Sequence, residues 1–155
     1  MKRLVVVLGL LTLSVDFARA QSDMLEREVG SAGSSAEDSG LFLLCIREQV
    51  SKNKIVHCST VLETTQSPDV RARAHFFRGL GYFHSREYDH AIIDFTQAID
   101  INPQKAQMPN YFFRGHAFLA TGDKDRAIAN YRQALAIHPT DERVLKKLKD
   151  LGVKP

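Results

Sequence analysis

The chain has 155 residues, 44% of them hydrophobic and 25% charged, which is the composition of one ordinary globular domain. Its formal charge of +3 comes largely from the start: without Lys2, Arg3, Asp16 and Arg19, 18 basic side chains face 17 acidic ones. So even a balance supplies no broad positive field, and nucleic acid is excluded as the expected partner.

The chain opens MKRLVVVLGLLTLSVDFARA. Two cations, Lys2 and Arg3, precede an apolar run from Leu4 to Val15 and the small-x-small triplet Ala18-Arg19-Ala20. That order is the order of a secretory signal, cut after Ala20; an uncleaved signal is the alternative. The run is too short for a membrane span and Asp16 interrupts it, so no membrane insertion is expected after cleavage. Residues 21–40 carry Gly, Ser and acidic side chains, with almost no large apolar ones after Val29. They read as a flexible leader, ahead of a folded domain over 41–155.

Leu41 to Gln66 has the length and periodicity of a helical hairpin, LFLLCIREQV and KIVHCSTVLETTQ around a break at Ser51-Lys52-Asn53. Cys45 and Cys58 lie about equally far from the middle of that break, so antiparallel helices bring them level. In an exported chain this spacing favours a disulfide, worth about 3 kcal/mol for a loop of this size. Two buried free thiols are the alternative, and a redox or metal role would need a closer pair or further ligands. Ser67-Pro68-Asp69 then supplies a cap and a first-turn proline for the next helix.

From Arg73 to Pro103 runs RAHFFRGLGYFHSREYDHAIIDFTQAIDINP, and from Pro109 to Pro139 the chain writes it again as PNYFFRGHAFLATGDKDRAIANYRQALAIHP. At an offset of 36 the copies share Phe76/Phe112, Phe77/Phe113, Arg78/Arg114, Gly79/Gly115, Ala91/Ala127, Ala98/Ala134 and Pro103/Pro139, among others. Chance would give roughly two such matches. Each copy reads as two amphipathic helices, about Arg73–Ser85 and Tyr88–Ile101 in the first, with the break at Ser85-Arg86 matched by Thr121-Gly122. Short links make the helices antiparallel. Gly79 and Ala91, and by the same count Gly115 and Ala127, lie at similar distances from the break and are expected to face each other where the helices cross. Tyr82, Phe95, Ala98 and Ile99 fill the seam, and Pro103 and Pro139 end the second helices. After Pro139, TDERVLKKLKDLG reads as a last helix capped by Thr140, whose Val144, Leu145, Leu148 and Leu151 would cover the open end.

Gly79, Tyr82, Tyr88, Ala91, Phe95, Ala98 and Pro103, then Gly115, Phe118, Ala127, Tyr131, Ala134 and Pro139, resemble the signature of the tetratricopeptide repeat. Two departures stand out. The copies are 36 rather than 34 residues apart, which lengthens the link near Gln104–Met108, and Lys124 replaces the aromatic seen at Tyr88. The resemblance implies an all-α fold, an α-solenoid of antiparallel helix pairs. A degenerate repeat is expected over 41–67, repeats over 68–104 and 105–139, and a capping helix over 140–151. The first hairpin also resembles short exported bacterial repeat proteins in which a paired-cysteine hairpin precedes the repeats, which implies a periplasmic or secreted protein.

In such a stack the first helix of each pair lines the inner surface. Arg73, Phe76, Leu80, Phe83 and His84 are expected there, with Phe112, His116 and Leu119 from the next copy and Arg143 and Lys146 at the rim. Phe76, Leu80 and Phe83 are spaced as one apolar stripe, either a groove or core between repeats. Phe77 and Phe113 are assigned to that core. Family members that grip an acidic peptide C-terminus use Lys, Arg and Asn on this surface; here Phe76, Leu80, Phe112 and His116 stand in much of that clamp's place. A peptide or protein segment with apolar anchors is therefore the expected partner. Association of copies through the same faces is the alternative. Arg78 is expected to pair with Asp94; its counterpart Arg114 faces Asn130 and must bond otherwise. The six histidines, His57, His75, His84, His90, His116 and His138, show no metal-ligand spacing, and no nucleophile elbow or phosphate loop occurs. No cofactor and no catalytic activity are expected.

Overall fold

The computed structural model describes residues 40–103 and 106–154. The expected signal peptide and, but for Gly40, the leader lie outside these residues. Among them no strand occurs. Helix α1 covers 40–47, and it is followed by α2 (Ser51–Thr64), α3 (Pro68–His84), α4 (Tyr88–Ile101), α5 (Met108–Ala120), α6 (Lys124–Ile137) and α7 (Glu142–Asp150). From α2 onward each helix packs on its chain neighbours, and α3 also reaches α5. The fold is an all-α solenoid.

The second helix of each repeat turns the same positions inward. Ala91, Asp94, Phe95 and Ala98 are buried on α4, and Ala127, Asn130, Tyr131 and Ala134 on α6, a spacing of i, i+3, i+4, i+7 that makes one helical stripe. Small residues matter where the helices cross. A Cβ at Gly79 would stand 2.9 Å from Cε1 of Phe95, and one at Gly115 would stand 2.9 Å from Cε1 of Tyr131. The atoms nearest each glycine position belong to these rings rather than to Ala91 or Ala127, although the Ala127 carbonyl follows at 3.3 Å from the Gly115 position, the approach that the symmetry of the break suggests. The alanines are fully buried beside them. Truncating Phe95 to alanine would cost about 3–5 kcal/mol.

The first helix of each repeat ends in one repeated turn. Glu87 N–H donates to the Tyr82 carbonyl and Arg86 N–H to Phe83; Asp123 and Gly122 donate in the same way to Phe118 and Leu119, and Val153 and Gly152 to Leu148 and Lys149. The turning residue is left-handed each time, with φ of 63° at Arg86, 89° at Gly122 and 74° at Gly152. This is the paired C-terminal hydrogen-bond motif that glycine serves best. α7 thus ends in the same turn as the first helix of each repeat.

The first hairpin keeps the expected architecture with shifted boundaries. Its link is 48–50, since α2 starts at Ser51, where Glu48 Oε1 accepts from Val50 N–H at 2.8 Å. Cys45 and Cys58 are bonded, with Cα atoms 4.8 Å apart, although Cys45 lies three residues before the link and Cys58 eight after it. They do not meet level across an even hairpin. Instead α1 leans into a corner, its Leu41, Phe42 and Cys45 packed with Val61 of α2 and with Ala74 and Phe77 of α3. A Cβ at Gly81 would meet Ile55 Cγ1 at 2.9 Å and the Ser51 carbonyl at 3.2 Å, so this glycine admits the start of α2 against α3. α3 begins at Pro68, as the Ser67-Pro68-Asp69 cap predicts and ahead of the Arg73 at which the repeated stretch begins, with Ser67 accepting from Val70 N–H. One further boundary moves. α7 is capped by Asp141, which accepts from both Arg143 and Val144 N–H, not by Thr140.

Buried polar side chains tie the units together. Arg78 grips Asp94 with Nε to Oδ2 and Nη2 to Oδ1, both at 2.8 Å, and its Nη1 donates to Ser59 Oγ on α2 at 3.1 Å. His75 Nδ1 lies 2.8 Å from the same carboxylate. One repeat later, Arg114 Nε donates to Asn130 Oδ1 at 2.8 Å and Nη1 to Thr96 Oγ1 on α4 at 3.1 Å. Each arginine thus joins its own hairpin to the preceding one. Ser59 does for α2 what Thr96 does for α4, which sets the register of the degenerate first unit.

Candidate binding site

The stripe expected along the inner surface is divided into two concavities. One, about 480 Å³, is lined by Arg73, Phe76 and Phe77 of α3 with Asp69, Ala98, Asn102, Gln107 and Asn110. Here Phe76 is mostly engaged by other rings, with centroids 5.3 Å from Phe77, 5.9 Å from Phe95 and 6.1 Å from Phe113. Arg73 lies over the Phe42 ring at 4.6 Å. The other concavity, about 350 Å³, collects Phe83 of α3, Phe112, Phe113 and His116 of α5, and Arg143, Lys146 and Lys147 of α7.

Three expected inner-surface residues line neither cavity. Leu80 packs against Ala91, Phe95 and Ala117, and Leu119 packs on the core of the second repeat. His84 is exposed, with Nδ1 2.7 Å from the Leu80 carbonyl at its own helix end. Phe112 is 8% exposed, so it offers the cavity only an edge while its body packs on Phe113, at 5.4 Å, and Tyr131, at 6.1 Å. Apolar residues of first helices face the neighbouring repeat as much as the surface, which is why the stripe does not stay open along its length.

The smaller cavity has an aromatic floor and a basic wall. Phe83 meets Phe113 edge to face at 6.0 Å, and His116 meets Phe112 at 4.6 Å. The side chains of Arg143, Lys146 and Lys147 come from one side of α7 by their i, i+3, i+4 spacing. Arg143 lies over the Phe112 ring at 5.4 Å and is held there by Asp141, Nη2 to Oδ2 at 2.7 Å. Asp141 offsets its charge, whereas no lining side chain is acidic. Burial, and then the charge of Lys147, push the His116 imidazole down to about 4, so it is neutral at pH 7. Its Nε2 is buried with no hydrogen-bond partner.

Phe113 and Lys147 are the lining residues that sequence reasoning did not assign to a site. Phe113 was placed in the core between repeats, and it serves there too, stacked on Phe95 at 6.2 Å. The signal for the pocket lay in the offset between the copies, since His116 occupies the place that Leu80 fills in the first repeat. Among the described residues no group of three His, Cys, Asp or Glu side chains is placed to hold a metal ion.

Comparison with known proteins agrees with this architecture. The family model of the tetratricopeptide repeat matches residues 72–105 and 109–141. A solved structure, that of MamA, superposes with a TM-score of 0.65 at 18% identity, covering 83% of this chain and 75% of that one. No curated protein matches the chain. Two matched repeats, the repeated helix-end turn and the glycine-to-ring seats identify residues 72–105 and 109–141 as two tetratricopeptide repeats.

Proposed function

We propose that the protein is a non-catalytic scaffold of the bacterial envelope that holds a segment of a partner protein at the cavity between α5 and α7. One observation carries this reading: an aromatic floor of Phe83, Phe112 and Phe113 opens beside Lys146 and Lys147 with no acidic residue in its lining. Such a surface suits an apolar anchor with acidic neighbours. Tetratricopeptide repeats serve broadly as protein-interaction modules, which supports binding rather than chemistry. Export is supported by Lys2, Arg3, the apolar run Leu4–Val15 and Ala18-Arg19-Ala20 together with the Cys45–Cys58 bond, since disulfides persist outside the cytosol.

The test acts on the wall, because a charge at Phe112 would break the core. Lys146→Glu with Lys147→Glu should abolish capture of partners from envelope extract while the helical circular dichroism is kept; undiminished capture would refute the site. A second reading is favoured by Leu43, Leu44, Val50 and Val56, which are 49–61% exposed on the first hairpin. Copies could associate through them, and sedimentation of the full chain at high concentration separates the readings, a monomer opposing assembly.

A further inference from the structure

The cavity beside α7 sets two requirements on its occupant. Its surface is almost wholly apolar, with Phe83, Phe112 and Phe113 as its body, so the anchor that enters must itself be apolar. Arg143, Lys146 and Lys147 stand around it. Asp141 pairs with Arg143 at 2.7 Å, which leaves the charges of Lys146 and Lys147 for the segment that enters. The chain itself carries a stretch of that composition. Between Gln21 and Ser39 the large apolar residues are Met24, Leu25 and Val29, interspersed with the acidic Asp23, Glu26 and Glu28 and one cation, Arg27. The excess of acid opposes the two lysines. Methionine adds a second fit, because its flexible thioether packs favourably against aromatic ring edges.

We propose that the aromatic pocket of one copy takes residues 23–29 of a second copy. Met24 and Leu25 enter among Phe83, Phe112 and Phe113, and Asp23, Glu26 and Glu28 meet Lys146 and Lys147. This rests on the binding reading given above and names the partner. Reach favours a second copy over the same chain. The helices pack in chain order from α2 to α7, so the first hairpin and α7 stand at opposite ends of the stack, about 30 Å apart for three steps of 8–10 Å. Residues 30–39, GSAGSSAEDS, span about 35 Å only when drawn straight, whereas a Gly/Ser coil of that length averages about 18 Å. A neighbour's pocket asks no such stretch. Because the donated segment and the receiving pocket are different surfaces, the contact is head-to-tail and leaves one of each free, so copies join into open chains.

The experiment is sedimentation of the full chain, purified from cells that export it, together with two variants and their mixture. Met24→Ser with Leu25→Ser removes the anchor and keeps the pocket. Lys146→Glu with Lys147→Glu removes the wall and keeps the anchor, and unchanged helical circular dichroism shows that both are folded. The unaltered chain should gain mass with concentration, and each variant alone should sediment as a monomer. An equal mixture of the two should double in mass to one-to-one dimers that grow no further, since that pair has one working anchor and one working pocket. The proposal is overturned by an unaltered chain that stays monomeric, by a mixture that stays monomeric, or by association that survives in either variant, as contact through the first hairpin would. The binding reading is judged apart from it. If the Met24→Ser, Leu25→Ser variant captures a partner from envelope extract and the Lys146→Glu, Lys147→Glu variant does not, the pocket stands even where the second copy fails as its occupant. If both capture alike, the pocket falls as well.

Discussion

The two repeats follow one plan and differ in how they treat buried polar atoms. In the first, Asp94 receives both arms of Arg78 and lies against His75, and the seats beside it are Leu80 and Phe95. In the second, Asn130 replaces Asp94, His116 replaces Leu80 and Tyr131 replaces Phe95, and both His116 Nε2 and the Tyr131 hydroxyl are buried without partners. One repeat closes its polar network and serves as frame. The other leaves two polar atoms buried without partners and lines the aromatic cavity with Phe112, Phe113 and His116.

The sharpest way to break this comparison is to remove each arginine in turn. Arg78→Ala leaves the Asp94 carboxylate, 2% exposed, without its main partner and should cost about 3–5 kcal/mol. Arg114→Ala strips only an amide oxygen and a hydroxyl and should cost about 1–3 kcal/mol. Urea unfolding of both variants gives the contrast directly. Acid tests the same pair. Burial pushes the Asp94 carboxyl up, but hydrogen bonds from Arg78 and His75 outweigh it and hold the group below the ordinary 3.8. Its contribution is therefore complete above that value and lost as pH falls through the lower, folded one. Asp94→Asn should flatten the decline in stability below about pH 4.

The next effect belongs to the first hairpin, which has a disulfide where the repeats have a glycine facing a ring. Cys45→Ser with Cys58→Ser should lower stability by about 2–4 kcal/mol, whereas a reducing agent should leave the double variant's melting temperature unmoved. Smaller still is the seat of Tyr131. Tyr131→Phe should raise stability by about 1 kcal/mol by deleting an unpaired buried hydroxyl, and Phe95→Tyr should lower it by at least as much. The smallest concerns the helix-end turn: Arg86 holds φ at 63° where the second repeat has Gly122, so Arg86→Gly should gain about 0.5 kcal/mol, the relief of a left-handed side chain less the entropy of a freer unfolded chain. Thermal melts resolve both.

Much of the fold was legible because the repeat writes its packing twice. Gly79 and Gly115, Phe95 and Tyr131, Ala98 and Ala134 keep identical spacing, and helices of this length need little else to define a hairpin. The disulfide was legible from location and spacing, but the symmetric hairpin used to argue it was not, since α2 begins at Ser51, the first residue of the expected break, and α1 packs across to α3. What faces a small residue was harder to read. Distance from a turn pairs Gly115 with Ala127, whose carbonyl does come close, but it does not reveal that the larger Phe95 and Tyr131 rings stand nearest the two glycines. The site was legible in part: Phe83, Phe112, His116, Arg143 and Lys146 do converge, while Arg73 and Phe76 belong to another cavity and Leu80 and Leu119 to the core. A stripe on one helix does not tell which of its residues the neighbouring repeat will cover.

The direct measurement is an amide-resolved NMR titration of the full chain with a blocked peptide that carries a phenylalanine between aspartates. The account predicts shifts concentrated on α5 and α7, around Phe112, His116 and Lys146, with α4 and the Arg78–Asp94 network undisturbed. Shifts confined to the first hairpin, or equal across both repeats, would contradict it.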